Sequence, residues 1–192
     1  RPTGPGNWVY NGGPLARGGL GARPFFLTSG DQFRPGPPPT FGGAEYNAAI
    51  AEVRHISDTR TAEQIAIANY WNLNQSPRSA AAMMGIARDL IVSHRRGDAD
   101  AARIMFLASA ASFDASIGCF DAKYHYWFIR PPQADAGIVT VFPTPPHPSY
   151  PSAHSCISGA ITGVLMGIFP DARAQLEAAA QEASLSRLYA GI

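Results

Sequence analysis

Lysine is almost missing from this chain: of 15 basic residues, 14 are arginine, and Lys123 is the one lysine. Charge of either sign is scarce, at 15% of residues, against roughly 25% in an average soluble protein. The signs nearly cancel, 15 basic against 14 acidic, for a net charge of +1. That balance offers no basic footprint, so no nucleic-acid partner is expected. Cysteine is scarce too. Cys119 and Cys156 are too few for a disulfide scaffold and leave two readings open, a pair of buried thiols or one bridge. No run of 18 apolar residues occurs. The longest apolar and small stretch, 157–169, includes Ser158 and Thr162, and its length suits a buried helix, so no membrane span is expected. An initiator Met and a signal peptide are absent ahead of Arg1, which implies an N-terminus that was processed, cut or left out.

What is present suffices for one folded domain. The chain has 192 residues, 46% of them hydrophobic. Chains of this size bury roughly 70% of their unfolded surface, and the composition excludes wholesale disorder. Proline and glycine are unevenly spread. Residues 1–43 hold 8 of the 17 prolines and 11 of the 19 glycines. The same region carries Trp8, Tyr10, Phe25, Phe26, Leu27 and Phe33, too many large apolar groups for a free linker. We expect an extended arm over 1–43 that packs irregularly on a body formed by 44–192.

From Glu45 onward the periodicity is helical. Ile50, Val53 and Ile56 recur at helical spacing. Thr61 and Gln64 read as a capping box. Ser76-Pro77 reads as an N-cap with proline at the first helical position, and Gly97 as the stop of the helix so opened. A helix from Asp98 is expected to run to about Tyr126 and to break at Pro131-Pro132. Residues 131–151 contain seven prolines and are expected to form a loop, with Ile138–Phe142 as a lone strand candidate. Ser152 opens an apolar helix that ends near Pro170, and Asp171 opens a last one. The expected fold class is all-α, a bundle of about six helices with one long loop.

Three segments carry chemistry. Lys123 and Arg130 stand seven residues apart, two helical turns, which places them on one face of a continued helix. Two cations at a helix C-terminus would suit the dipole. Buried together among Tyr124, Tyr126, Trp127 and Phe128, however, they repel unless an anion lies between them. In Pro151-Ser152-Ala153-His154 a proline-rich loop meets a helix N-terminus, whose free N–H groups and serine hydroxyl can hold an oxyanion. His154 stands in the first turn, able to move a proton, although a capped helix with a solvated histidine would look the same. In Ser186-Arg187 an arginine interrupts an apolar terminal helix, where a lone surface charge is the commoner case.

Together these segments resemble the three-part signature of the superfamily that joins type-2 phosphatidic acid phosphatases, bacterial acid phosphatases and vanadium-dependent haloperoxidases. Lys123-x6-Arg130-Pro131 matches its first part, Pro151-Ser152-Ala153-His154 its second and Ser186-Arg187 the start of its third. The resemblance covers residues 123–187 and implies the superfamily's helical bundle around a site for phosphate or vanadate. It implies that Lys123, Arg130 and Arg187 neutralise the anion's oxygens, that Ser152 and the backbone N–H of Ala153 add hydrogen bonds, and that His154 is an acid–base group. Two departures stand out. Ala153 replaces the usual glycine. The third part should continue to a histidine that ligates vanadium or attacks phosphorus, and that histidine would follow Ile192, so no metal ligand is expected within the chain and its C-terminal part is read as missing.

His147 matches the position where algal bromoperoxidases carry a second histidine and fungal chloroperoxidases a phenylalanine. It is therefore a second candidate catalytic residue, beside the plain reading of a loop histidine capping backbone groups. Phe120 stands where fungal enzymes have tryptophan, which weighs against the peroxidase, and His125 lies off the Lys123–Arg130 face. The resemblance implies a soluble, bacterial vanadate-dependent haloperoxidase that takes hydrogen peroxide and halide. The alternatives are an acid phosphatase hydrolysing phosphomonoesters through a phosphohistidine, and a truncated, non-catalytic oxyanion-binding remnant. Secretion or a periplasmic location, and a homodimer, are further expectations from the resemblance.

Overall fold

The structure, a computed structural model, describes residues 1–10, 12, 14–72 and 77–192, with the backbone alone for 77–81. Among the described residues the fold is all-helical, with no strand. Its helices are α1 (Ala44–Thr59), α2 (Ala62–Tyr70), α3 (Pro77–Ser93), α4 (Asp98–Tyr126), α5 (Pro131–Ala134), α6 (Ala153–Ile168) and α7 (Arg173–Ala190). A 3-10 turn, Pro170–Ala172, precedes α7.

The helix boundaries follow local chemistry. At α2 the capping box forms: the Thr61 hydroxyl accepts from Gln64 N–H, and the Gln64 side chain accepts from Thr61 N–H. Ser152 caps α6 by accepting from Ser155 N–H at 3.3 Å. Ser76 lies outside the described residues. Gly97 does not stop α3. That helix ends at Ser93, Arg95 takes the left-handed conformation (φ 51°), and Gly97 is instead the extended N-cap of α4.

Two further expectations fail for identifiable reasons. The helix α4 ends at Tyr126 as expected, but Pro131 and Pro132 are not what ends it. Trp127 turns left-handed (φ 52°) and its N–H closes on the Lys123 carbonyl, so the chain leaves the helix three residues before Arg130. Pro131 and Pro132 then begin a helix rather than break one, because prolines at the first two helical positions lack only N–H groups that would be orphaned anyway. This one-turn helix within the expected loop accounts for a seventh helix. Ile138–Phe142 is irregular. Ile138 and Phe142 are buried, but among the described residues there is no neighbouring strand to pair with.

The long helix α4 is the spine. It packs most extensively against α6, which packs in turn on α7, while α2 leans on α7 and α3 on α4. Leu90, Ile91, Ile104, Ile161, Leu165, Phe169 and Leu176 fill the core between these helices. By length and composition α4 could cross a membrane. Here its Asp114 and Lys123 are buried against partners inside the protein, the position of a core helix.

Residues 1–43 run over α4 and its C-terminus. Asp114 accepts from the N–H groups of Phe25, Phe26 and Leu27 at 2.7, 2.7 and 3.1 Å. Arg34 pairs with Asp121, and Tyr126 donates to the Pro35 carbonyl. Trp8 and Trp127 exchange two bonds, backbone N–H to carbonyl and indole N–H to carbonyl, over a ring contact of 5.4 Å.

Candidate functional site

One cavity of about 400 Å³ is lined by Lys123, Arg130, His147, Ser152, Ala153, His154 and Arg187 together. Lys123 comes from the last turn of α4, Arg130 from the N-cap of α5, and His147 from the following loop. Ser152, Ala153 and His154 open α6, and Arg187 lies near the end of α7. Lys123 and Arg130 therefore reach the cavity from two elements, not from one helix face. The cavity wall carries three cations and no side-chain carboxylate.

Lys123 is 1% exposed. Its Nζ donates to the carbonyls of Pro148 (3.0 Å) and Ser149 (2.7 Å), which ties the proline-rich loop to α4. Burial pushes its ammonium down to about 7, and the Arg130 charge pushes the same way. Arg130, 3% exposed, donates from Nε to the His147 carbonyl at 2.8 Å, and burial lowers it to about 10. Arg187 is not the surface charge that a lone arginine suggests. It donates from Nη2 to the Ala68 carbonyl at 3.0 Å and from Nε to the Ser186 hydroxyl at 3.0 Å, over the Phe142 ring, and burial lowers it to about 10.

Both histidines are neutral at pH 7. Burial, with Lys123 and Arg130 beside it, lowers His147 to about 3. Its Nδ1 lies 2.9 Å from Arg130 Nη2 and 2.9 Å from the Pro148 carbonyl. The guanidinium only donates and the carbonyl only accepts, so Nδ1 serves one of them according to the ring tautomer. Burial, with Arg187 beside it, lowers His154 to about 4. Its Nε2 donates to the Trp71 carbonyl at 2.7 Å, which leaves Nδ1 as the basic atom.

The first residues of α6 complete the cradle. Ser152 uses a lone pair as cap acceptor and keeps its own proton to donate. Ala153, the first helical residue, has no positive φ, so a Cβ there is unstrained and glycine is not required for the backbone N–H to point outward.

No family model matches the chain, and no curated protein matches it in sequence. A solved structure does: that of a bacterial vanadium-dependent iodoperoxidase, described as the first of its kind, is 31% identical with a TM-score of 0.84 over 98% of this chain. The chain is related to the vanadium haloperoxidase family. It spans 55% of the length of that iodoperoxidase chain.

A haloperoxidase-type cavity should fit vanadate or phosphate, and the donor set here does. Three cations without an acidic side chain beside them, a serine hydroxyl and free N–H groups at a helix N-terminus together favour a compact, multiply charged oxyanion. Sequence reasoning missed the apolar half of the cavity. Tyr46, Ile50 and Val53 line it at i, i+4 and i+7 of α1, a spacing that was visible but that also describes any core face. Ile192 lines it as well. Phe120 contacts the His147 ring at 5.1 Å, whereas His125 is exposed.

Proposed function

We propose that this chain forms the oxyanion-binding part of a vanadate-dependent haloperoxidase that uses hydrogen peroxide to oxidise halide. The observation that carries the reading is the gathering of Lys123, Arg130 and Arg187 in one cavity with no acidic side chain to neutralise them. Such an arrangement is costly unless an anion supplies the missing charge. Lys123, Arg130 and Arg187 would hold the oxygens of the anion, Ser152 would donate its hydroxyl proton, and the Ala153 N–H would add a helix-terminal donor. Vanadate held there would supply the Lewis-acid chemistry of halide oxidation.

The remaining roles belong to the histidines. His154 offers Nδ1 as a base while the cavity is anion-free. Entry of an anion raises its proton affinity, so the same group can then return a proton. His147, with Nδ1 held between Arg130 and the Pro148 carbonyl, would turn Nε2 toward the bound anion and give the loop a fixed position. The residue after Ile192 would stand beside the cavity, where the superfamily's ligating histidine belongs. We extend the superfamily's small-molecule partners, peroxide and halide, to this chain as part of the same proposal, together with export from the cytoplasm and pairing of two copies.

The test has two arms. Calorimetric titration of the chain with orthovanadate and with phosphate should give saturable binding, and Arg130→Ala should weaken it by at least about tenfold, the loss of one charge-assisted contact. Unchanged affinity in Arg130→Ala rejects the cradle. The protein as its gene encodes it, supplied with vanadate, peroxide and iodide, should form hypohalous acid, and phosphate should suppress this. Turnover of a phosphomonoester without halogenation would assign the acid phosphatase activity instead. Oxyanion binding with neither activity would leave a binding remnant.

A further inference from the structure

Cys119 and Cys156 lie outside the oxyanion cavity, yet they sit between its two main supports. Cys119 is on α4, one turn before Lys123, and Cys156 is in the first turns of α6, two residues after His154. Both are free thiols on the closely packed helices α4 and α6, and each perturbs the other's ionisation. They also line a second, largely apolar cavity of about 390 Å³, walled by Leu27, Phe33 and Pro35 of the N-terminal segment and by Pro151. That cavity gives a small neutral oxidant room to reach them.

The two sulfurs are not equivalent. Cys119 is 3% exposed, with Sγ 3.8 Å from the Pro151 carbonyl oxygen, whereas Cys156 is half-buried. The neighbouring Cys156, then burial, push the Cys119 thiol up. The neighbouring Cys119 lowers Cys156 against the opposing effect of burial, and the Lys123 ammonium assists. Its place near a helix N-terminus favours the thiolate further.

We propose that Cys119 and Cys156 form a peroxide-reactive dithiol, Cys156 attacking and Cys119 resolving, that closes to a disulfide tying α4 to α6. The Cys156 thiolate attacks one oxygen of hydrogen peroxide. The O–O bond breaks, the departing hydroxide takes up a proton as water, and Cys156 becomes a sulfenic acid. Cys119 sulfur then displaces the hydroxyl group from Cys156, the S–S bond forms and a second water leaves. Two thiols lose two electrons and one peroxide becomes two waters. The oxidant is peroxide itself, so the inference stands whether or not the haloperoxidase reading does.

The reduced wild-type chain, treated with hydrogen peroxide, tests this. Titratable thiols should fall from two to none, and the intact mass should drop by about 2 Da, two hydrogens. A non-reducing tryptic map should join peptide 104–123 to peptide 124–173. In Cys119→Ser, oxidation should stop at a sulfenic acid on Cys156, about 16 Da heavier and trapped by dimedone. In Cys156→Ser, Cys119 should keep its thiol at the same dose. Survival of both wild-type thiols overturns the proposal, and so does oxygen added to Cys156 beside a free Cys119. The wild-type mass and peptide linkage decide the matter even if a serine variant fails to fold.

Discussion

At the scale of single residues the chain places its one lysine where solvation is poorest. Lys123 is held by two loop carbonyls and is near half-protonation at neutral pH, because burial has lowered it to about 7. An anion in the cavity favours the charged form. Oxyanion binding should therefore be accompanied by proton uptake near pH 7, and affinity should fall as pH rises through that value. Calorimetry of phosphate binding in buffers of different ionisation enthalpy reads the proton count directly. In Lys123→Met, which keeps the length and loses the charge, proton uptake should largely vanish and affinity should fall by at least about tenfold. Uptake that persists in Lys123→Met would place the titrating group elsewhere.

At the scale of elements one buried carboxylate, Asp114, gathers three of the ties between the N-terminal segment and α4. Burial raises the Asp114 carboxyl, but the N–H groups of Phe25, Phe26 and Leu27 outweigh it and hold the group below its ordinary value. A depressed acid contributes stability that is present above its unfolded value of 3.8 and lost as pH falls through the lower folded value. Asp114→Ala leaves three donors without their acceptor, a cost on the order of 3 kcal/mol. Chymotrypsin should then cut after Phe25 and Phe26 faster than in the wild type, while the helical circular dichroism signal persists. The same faster cutting should appear in the wild type when it is pulsed briefly below pH 3.8 and probed with an acid-active protease. Equal cutting of variant and wild type would mean that Asp114 does not hold the segment.

The elements also mark what the sequence could and could not reveal. The Thr61–Gln64 box, the start of α4 at Asp98 and the Ser152 cap are local hydrogen-bond arrangements, written in residues three or four apart. The end of α4 is not local. An aromatic residue, Trp127, takes a left-handed conformation because Trp8 receives its indole N–H and packs on its ring. No pattern within 120–131 announces that contact with residue 8. The site residues were legible because their spacing matched a known signature. Their geometry was not: Arg130 leaves the helix, yet its guanidinium still reaches the cavity through the His147 loop.

At the scale of the whole molecule the cavity makes the anion-free protein resist protonation. His147 and His154 have folded values of about 3 and about 4, against 6.5 in the unfolded chain. The unfolded chain thus binds more protons across that interval, and stability present above pH 6.5 is lost as pH falls toward 4. Over its interval His147 contributes on the order of 5 kcal/mol and His154 on the order of 3 kcal/mol. Lys123 acts in the same direction at higher pH, because stability present above 10.5 is lost as pH falls toward 7. One group opposes them. His94, raised by its bond to Asp171, adds stability below 6.5 that fades as pH rises, but the pair is solvent-exposed and screened. Thermal unfolding without anion should therefore rise with pH in two steps, one below 6.5 and one above 7. Saturating phosphate should raise the unfolding temperature most at low pH, where the cations and histidines accept protons most readily, and so flatten the profile. A pH-independent gain from phosphate would show that the anion binds away from these groups. A flat anion-free profile would show that their charges are already neutralised by partners within the protein.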